Sequence, residues 1–192
     1  MRIRIIAGLA VLLALGFPAV AEAQVPRGSP EFTIVDPSGK TTPLSSLKGQ
    51  VVVIEFLLYR CPSCLRMAQT INKLHGEMAN RGFRPIGIVF DDGVTEPVVH
   101  DLALLLKLNY LVGYTTSDQV DRYLGRSPVV RLQVPQVVVI DRAGVIRAQS
   151  RPSGEANLTD ESYLRNLVGE LLDEGVPPGK SEESTVPLKP SN

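Results

Sequence analysis

Eight consecutive residues, Val51 to Leu58, are apolar at every position except Glu55. A strand with one wet face alternates apolar and polar residues, so an unbroken run of this length reads as a strand covered on both faces by helices. That places it near the middle of an α/β sheet. Cys61-Pro62-Ser63-Cys64 follows directly, and from Cys61 to Asn80 the apolar residues Leu65, Ala68, Ile71, Leu74 and Met78 recur at helical spacing, with Arg81-Gly82 as the stop. Phe83 to Phe90 then reads as a second buried strand. A right-handed crossover through the intervening helix makes the two strands parallel. Both cysteines therefore fall where the first strand ends and the helix begins.

The remaining elements are shorter. Glu31 to Val35 reads as a strand, Asp36-Pro37-Ser38-Gly39 as a turn, and Leu44 to Gly49 as one helical turn closed by glycine. A helix is expected from Val98 to Leu108, with Pro97 near its first turn, then a strand over Tyr110 to Tyr114 and a helix over Ser117 to Leu124. Val134-Pro135 opens the strand Gln136 to Ile140, Asp141 to Gly144 turns the chain, and Val145 to Ser150 returns as its hairpin partner. A last helix runs to Glu174, starting near Thr159-Asp160. The order predicts an α/β fold: a central mixed β-sheet flanked by helices, with an N-terminal β extension.

The two ends of the chain differ in kind from this domain. Arg2 and Arg4, the apolar run Ile5 to Phe17, and Ala21-Glu22-Ala23 have the order of a secretory signal peptide, so residues 1–23 are expected to be removed on export to the periplasm. The alternative is an uncleaved anchor in the inner membrane, for which the apolar run is short. Residues 24–30 read as a linker, 31–174 as one domain, and 175–192, rich in Pro, Ser, Glu and Lys, as a disordered tail. The 20 basic and 20 acidic residues balance, which removes the positive field a nucleic-acid binder needs. A monomer is expected.

The chain has two cysteines, three positions apart. On a first helical turn such a pair shares a face and can close a disulfide. As a staple it would contribute little, since so small a ring removes only about 2 kcal/mol of unfolded-state entropy. As a metal site it needs further ligands, and His75 and His100 sit on helices as expected surface residues. Redox exchange is the favoured use, with no cofactor beyond the cysteine pair and no metal. The helix N-terminus and the neighbouring Arg60 stabilise a thiolate at Cys61, the expected nucleophile, and Cys64, one turn in, is the resolving thiol.

Glu55 is a carboxylate inside an otherwise buried strand. Either it reaches solvent or a basic partner, or it is a buried acid of raised pKa able to exchange a proton with Cys64. Pro135 opens a strand, a position that also suits an ordinary edge residue.

Phe32-Thr33, Asp36 to Lys40, Leu44 to Gly49, Val51 to Phe56, the Cys-Pro-Ser-Cys motif, Val134-Pro135, Val139 to Arg142 and Gly144 occur in an order that resembles the thioredoxin superfamily. More narrowly, they resemble its exported TlpA-like and ResA-like thiol-disulfide oxidoreductases. The resemblance implies a thioredoxin-like fold in which Pro135 is a cis-proline facing the cysteines and the Val134 backbone hydrogen-bonds an extended substrate. It also implies that Glu55, six positions before Cys61, is the family's buried acid. Protein thiols and disulfides are the implied partners, with a membrane electron donor and apocytochrome c as family-level candidates, and a reductant the favoured direction. Arg60, Pro62, Ser63 and Val134 are expected to meet the substrate. Where the family has Trp before the first cysteine, this chain has Arg60. Peroxiredoxins open similarly but have a Pro and a Thr ahead of their peroxidatic cysteine, which residues 55–60 lack. Copper-delivering relatives resemble a CxxxC pattern with a downstream His, and this chain has CxxC.

Overall fold

The computed structural model describes residues 24–154 and 156–174. The signal-peptide and tail readings fall outside the described residues. Eight strands form one mixed sheet: β1 (Arg27–Gly28), β2 (Thr33–Val35), β3 (Thr41–Pro43), β4 (Val51–Leu57), β5 (Phe83–Val89), β6 (Leu111–Tyr114), β7 (Gln136–Ile140) and β8 (Val145–Gln149). Across the sheet the order is β1-β8-β7-β4-β5-β6-β2-β3. β4 is parallel to β5 and antiparallel to β7, so the all-apolar run sits centrally, as its lack of alternation requires.

Among the described residues five α-helices occur: α1 (Pro62–Met78), α2 (Glu96–Leu105), α3 (Ser117–Leu124), α4 (Ala156–Thr159) and α5 (Glu161–Asp173). Every β4 residue is buried, and alternate side chains face different layers. Val52, Ile54 and Phe56 join α3 and the N-terminal residues Phe32 and Leu44 on one side. Val51 and Val53 pack with Ile71 and Leu74 of α1 and Leu164, Val168 and Leu171 of α5 on the other. Full burial of each such aliphatic side chain stabilises by roughly 1.5–3 kcal/mol, so β4 alone anchors both layers.

Several differences from the sequence reading have identifiable causes. Residues 27–28, expected as linker, form the edge strand β1 against β8, and Arg27 fixes it by donating to the Tyr123 carbonyl (3.1 Å) and to the Gln149 side chain (2.7 Å). The last helix is interrupted at Asp160, whose carboxylate accepts the Tyr163 amide at 2.8 Å and caps α5 afresh. The β2–β3 hairpin closes around Asp36, which accepts from the Ser38 and Lys40 amides. It docks on β6 because Gly113 has no side chain: a Cβ there would stand 2.6 Å from the Val35 carbonyl oxygen. In α1 the buried stripe includes Met67, while Leu65 is only partly covered.

Candidate active site

The helix α1 begins where β4 and β5 end, and its N-cap is Cys61. Pro62, tolerated at a first helical position because its missing N–H would have no intrahelical partner, starts the turn. The Cys61 sulfur accepts the Cys64 amide at 3.3 Å and lies 3.1 Å from the Ser63 hydroxyl. A thiolate at Cys61 would thus receive two donors at the positive end of a helix. Cys64 is fully buried against Leu57, Val89, Val99, Leu102 and Val112, whereas Cys61 is partly exposed. The two are joined in a disulfide, with their Cα atoms 5.2 Å apart. The exposure difference fits attack at Cys61 and resolution by Cys64.

Arg60 is exposed, and its guanidinium lies over the Tyr59 ring, 4.9 Å from the centroid. The Tyr59 amide donates to Asp91 at 2.8 Å, tying the turn before Cys61 to the end of β5. Val134, like Cys61, packs against the cluster around Cys64, and the Val134-Pro135 peptide bond is in the cis form. Ser63, Arg66, Thr70, Val134, Pro135 and Gly154 border a groove of about 670 Å³ beside the disulfide. A smaller cavity of about 160 Å³, near Lys48 and Asp141, lies at the opposite end of β4, away from the cysteines.

Glu55 is completely buried, and neither carboxylate oxygen has a hydrogen-bond partner. Its side chain points to the α1 side, two residues before Leu57, which packs on Cys64. Burial pushes its proton affinity well above the ordinary carboxyl value. Solvation at a strand end and pairing with a base are therefore both ruled out by geometry. The cross-strand partner of Glu55 in β5 is Gly87, and a Cβ there would stand in ordinary contact with the Tyr110 ring, at 3.5 Å. Tyr110 donates to the Ala68 carbonyl (3.3 Å), and burial together with nearby Glu55 raises its hydroxyl pKa.

Tyr110 and Gln136 escaped the sequence reading. Buried Gln136 donates to the carbonyls of Gln133 and Arg151, linking the Pro135 loop to the loop after β8. An amide opening the otherwise apolar run Gln136–Ile140 was the available signal, the same anomaly that exposed Glu55. Tyr110 gave no such signal, since its neighbours come from distant segments. His75 lies on α1 within hydrogen-bonding distance of Asn109 (2.8 Å), and His100 is exposed on α2. Among the described residues no three His, Cys, Asp or Glu side chains converge as a metal site would require.

A thioredoxin-like fold with a vicinal cysteine pair at the first turn of α1 defines a redoxin-type oxidoreductase. The AhpC/TSA family matches residues 25–149, and the chain belongs to it. A curated relative, the chloroplastic peroxiredoxin Q of Suaeda salsa, is 29% identical over 136 residues, which span 68% of this chain and 62% of that protein. Among solved structures, a Bacteroides thetaiotaomicron protein described provisionally as a protein disulfide isomerase superposes with a TM-score of 0.65 at 27% identity, covering 82% of this chain and 96% of that one. A thioredoxin-family thiol:disulfide interchange protein from Chlorobium tepidum gives 0.63 at 24%, covering 79% and 99%. A secreted Mycobacterium tuberculosis disulfide oxidoreductase homologous to Escherichia coli DsbE gives 0.55 at 19%, covering 73% and 96%.

Proposed function

We propose that this chain exchanges disulfides with protein partners outside the cytoplasm, acting as a reductant. The carrying observation is the Cys61 sulfur itself: partly exposed, capped by the Cys64 amide and two residues from Ser63, which with Val134 and Pro135 lines a groove. In the reducing direction the Cys61 thiolate attacks a partner disulfide and expels one partner thiolate. The mixed disulfide is held with the partner chain extended along the Val134 backbone. Cys64 then gives up its proton and attacks the Cys61 sulfur, restoring the Cys61–Cys64 bond and releasing the second partner thiolate. The partner gains two electrons. Glu55, one strand repeat of about 7 Å from the residue that packs on Cys64, takes that proton because burial has raised its affinity. A membrane electron donor would reduce the pair again, and apocytochrome c is a candidate substrate by family resemblance.

Two measurements test this. A reduction potential near or below about −270 mV marks a reductant, and one approaching about −120 mV an oxidant. A Cys64→Ser variant should accumulate mixed disulfides with exported proteins; if it captures none while Cys61 remains alkylatable, the two-step scheme fails. The match to the peroxiredoxin-containing family favours a second reading, peroxide reduction at Cys61. Against it, the turn before Cys61 is Leu58-Tyr59-Arg60, with no Thr to shape a peroxide pocket. Hydrogen peroxide consumption faster than that of a free thiol would revive it.

A further inference from the structure

Most arginines with a described position are committed. Arg81, Arg126, Arg142, Arg147 and Arg165 each donate to a carboxylate or a carbonyl. Among the described residues four are not, and two of them, Arg60 and Arg66, flank the cysteine pair along the chain. Arg60, next to Cys61, is exposed and only stacks on Tyr59. Arg66 is exposed on α1, one turn beyond Ser63, and borders the groove without a hydrogen bond or ion pair. Arg131 is exposed and unpaired two residues before Gln133, which also borders the groove. Arg122, the remaining unpaired one, lies on α3 across the sheet.

The carboxylates near this face are mostly occupied. Asp91 receives the Tyr59 amide, Asp160 caps α5, and Glu161 is clamped by Lys73 and Arg165. Among the described residues, Asp92, exposed beside Asp91, and Asp101, exposed on α2, are acids without a hydrogen bond or ion pair. The chain is neutral overall, so electrostatic selection of a partner has to come from a local patch such as these arginines. Unpaired arginines at a groove rim cost little when exposed and gain bidentate contacts when a carboxylate arrives.

We infer that the groove beside Cys61 selects acidic protein segments: an extended chain carrying Asp or Glu within a few residues of its reactive cysteine, met by Arg60, Arg66 and Arg131. This rests on the disulfide-exchange reading and specifies its substrate. Arg60 then does by charge what an apolar wall before the first cysteine would do by contact.

The test uses three synthetic disulfide peptides of one length, whose residues flanking the cysteine are glutamate, serine or lysine, reduced by the full chain under low salt. The glutamate peptide is expected to react at least about tenfold faster than the lysine peptide, the gap closing above ~0.1 M salt as the Debye length falls to about 10 Å. Arg66→Gln with Arg131→Gln should shrink the glutamate-to-lysine ratio several-fold, and Arg66→Glu should bring it to unity or invert it. Equal rates for the three peptides, or a ratio unmoved by these substitutions, would overturn the charge preference while leaving exchange intact. No reduction of any peptide would overturn exchange and this inference together.

Discussion

The two ends of the central strands partner their charged groups differently, although each keeps buried unpartnered atoms: Arg142 Nε and Gln50 Oε1 at the turn end, the Glu55 oxygens toward the cysteines. At the turn end, Asp141 accepts the Ala143 and Val145 amides and pairs with Arg147. Arg142 donates to the carbonyls of Gly49, Arg81 and Leu172, at 2.7, 2.9 and 3.2 Å, and so ties together three segments. At the cysteine end Glu55 has no partner, and Arg60, Arg66 and Arg131 have no ion pair. Satisfied polar groups hold a structure together, while unsatisfied ones store a capacity to bind or to carry protons. The difference separates the part of the molecule built for stability from the part built to react.

Substitutions sharpen or break this contrast. The largest effect is expected for Cys61→Ser, which should reduce peptide-disulfide turnover to background; any residual Cys64-dependent turnover would contradict the assignment of the nucleophile. Glu55→Gln comes next, slowing release of the mixed disulfide by ~10²-fold, as loss of a proton carrier does. It should also change stability in a definite direction. The folded-state affinity of Glu55 lies above its ordinary value of 4.5, so its contribution is fully present below that pH and is lost as pH rises through the raised value. The melting temperature of Glu55→Gln should therefore gain on the parent as pH goes from 5 to 8. Parallel melting curves across that range would mean Glu55 has a partner in solution.

Arg142→Ala probes the opposite end. It should destabilise by about 2 kcal/mol in urea unfolding, through three lost charge-assisted bonds on a half-exposed side chain, with peptide turnover unchanged. A change in turnover would show that the ends are coupled. The smallest effect is expected for Tyr110→Phe, which keeps the ring over Gly87 but removes the hydroxyl beside Glu55. It should destabilise by about 1 kcal/mol in urea unfolding, through loss of the bond to the Ala68 carbonyl, with mixed-disulfide release unchanged; slower release would show that the hydroxyl serves Glu55.

The sheet's centre, the crossover helix and the Cys61–Cys64 disulfide were legible because each rests on local pattern: an unalternating run, a 3.6-residue stripe, and two cysteines on one turn. Ser117–Leu124 and Gln136–Ile140 coincide with the elements read from sequence, since caps and turns bound them on both sides. Less legible were β1 and β3, which are two and three residues long and exist because a neighbouring strand presents an open edge. Glu55 stood out as a charge in an apolar run, but its lack of a partner depends on what β5 and α1 place around it.

The linear chain by itself determined which residues could be buried and which could react, because periodicity and residue chemistry are properties of neighbours along the backbone. Only the tertiary structure decided that Tyr110 lies near Glu55, and that Gln136 joins two loops. It also decided that Arg60 and Arg66, on either side of the cysteine pair, have no acid to pair with. Those are relations between residues far apart in sequence, and folding alone sets their distances.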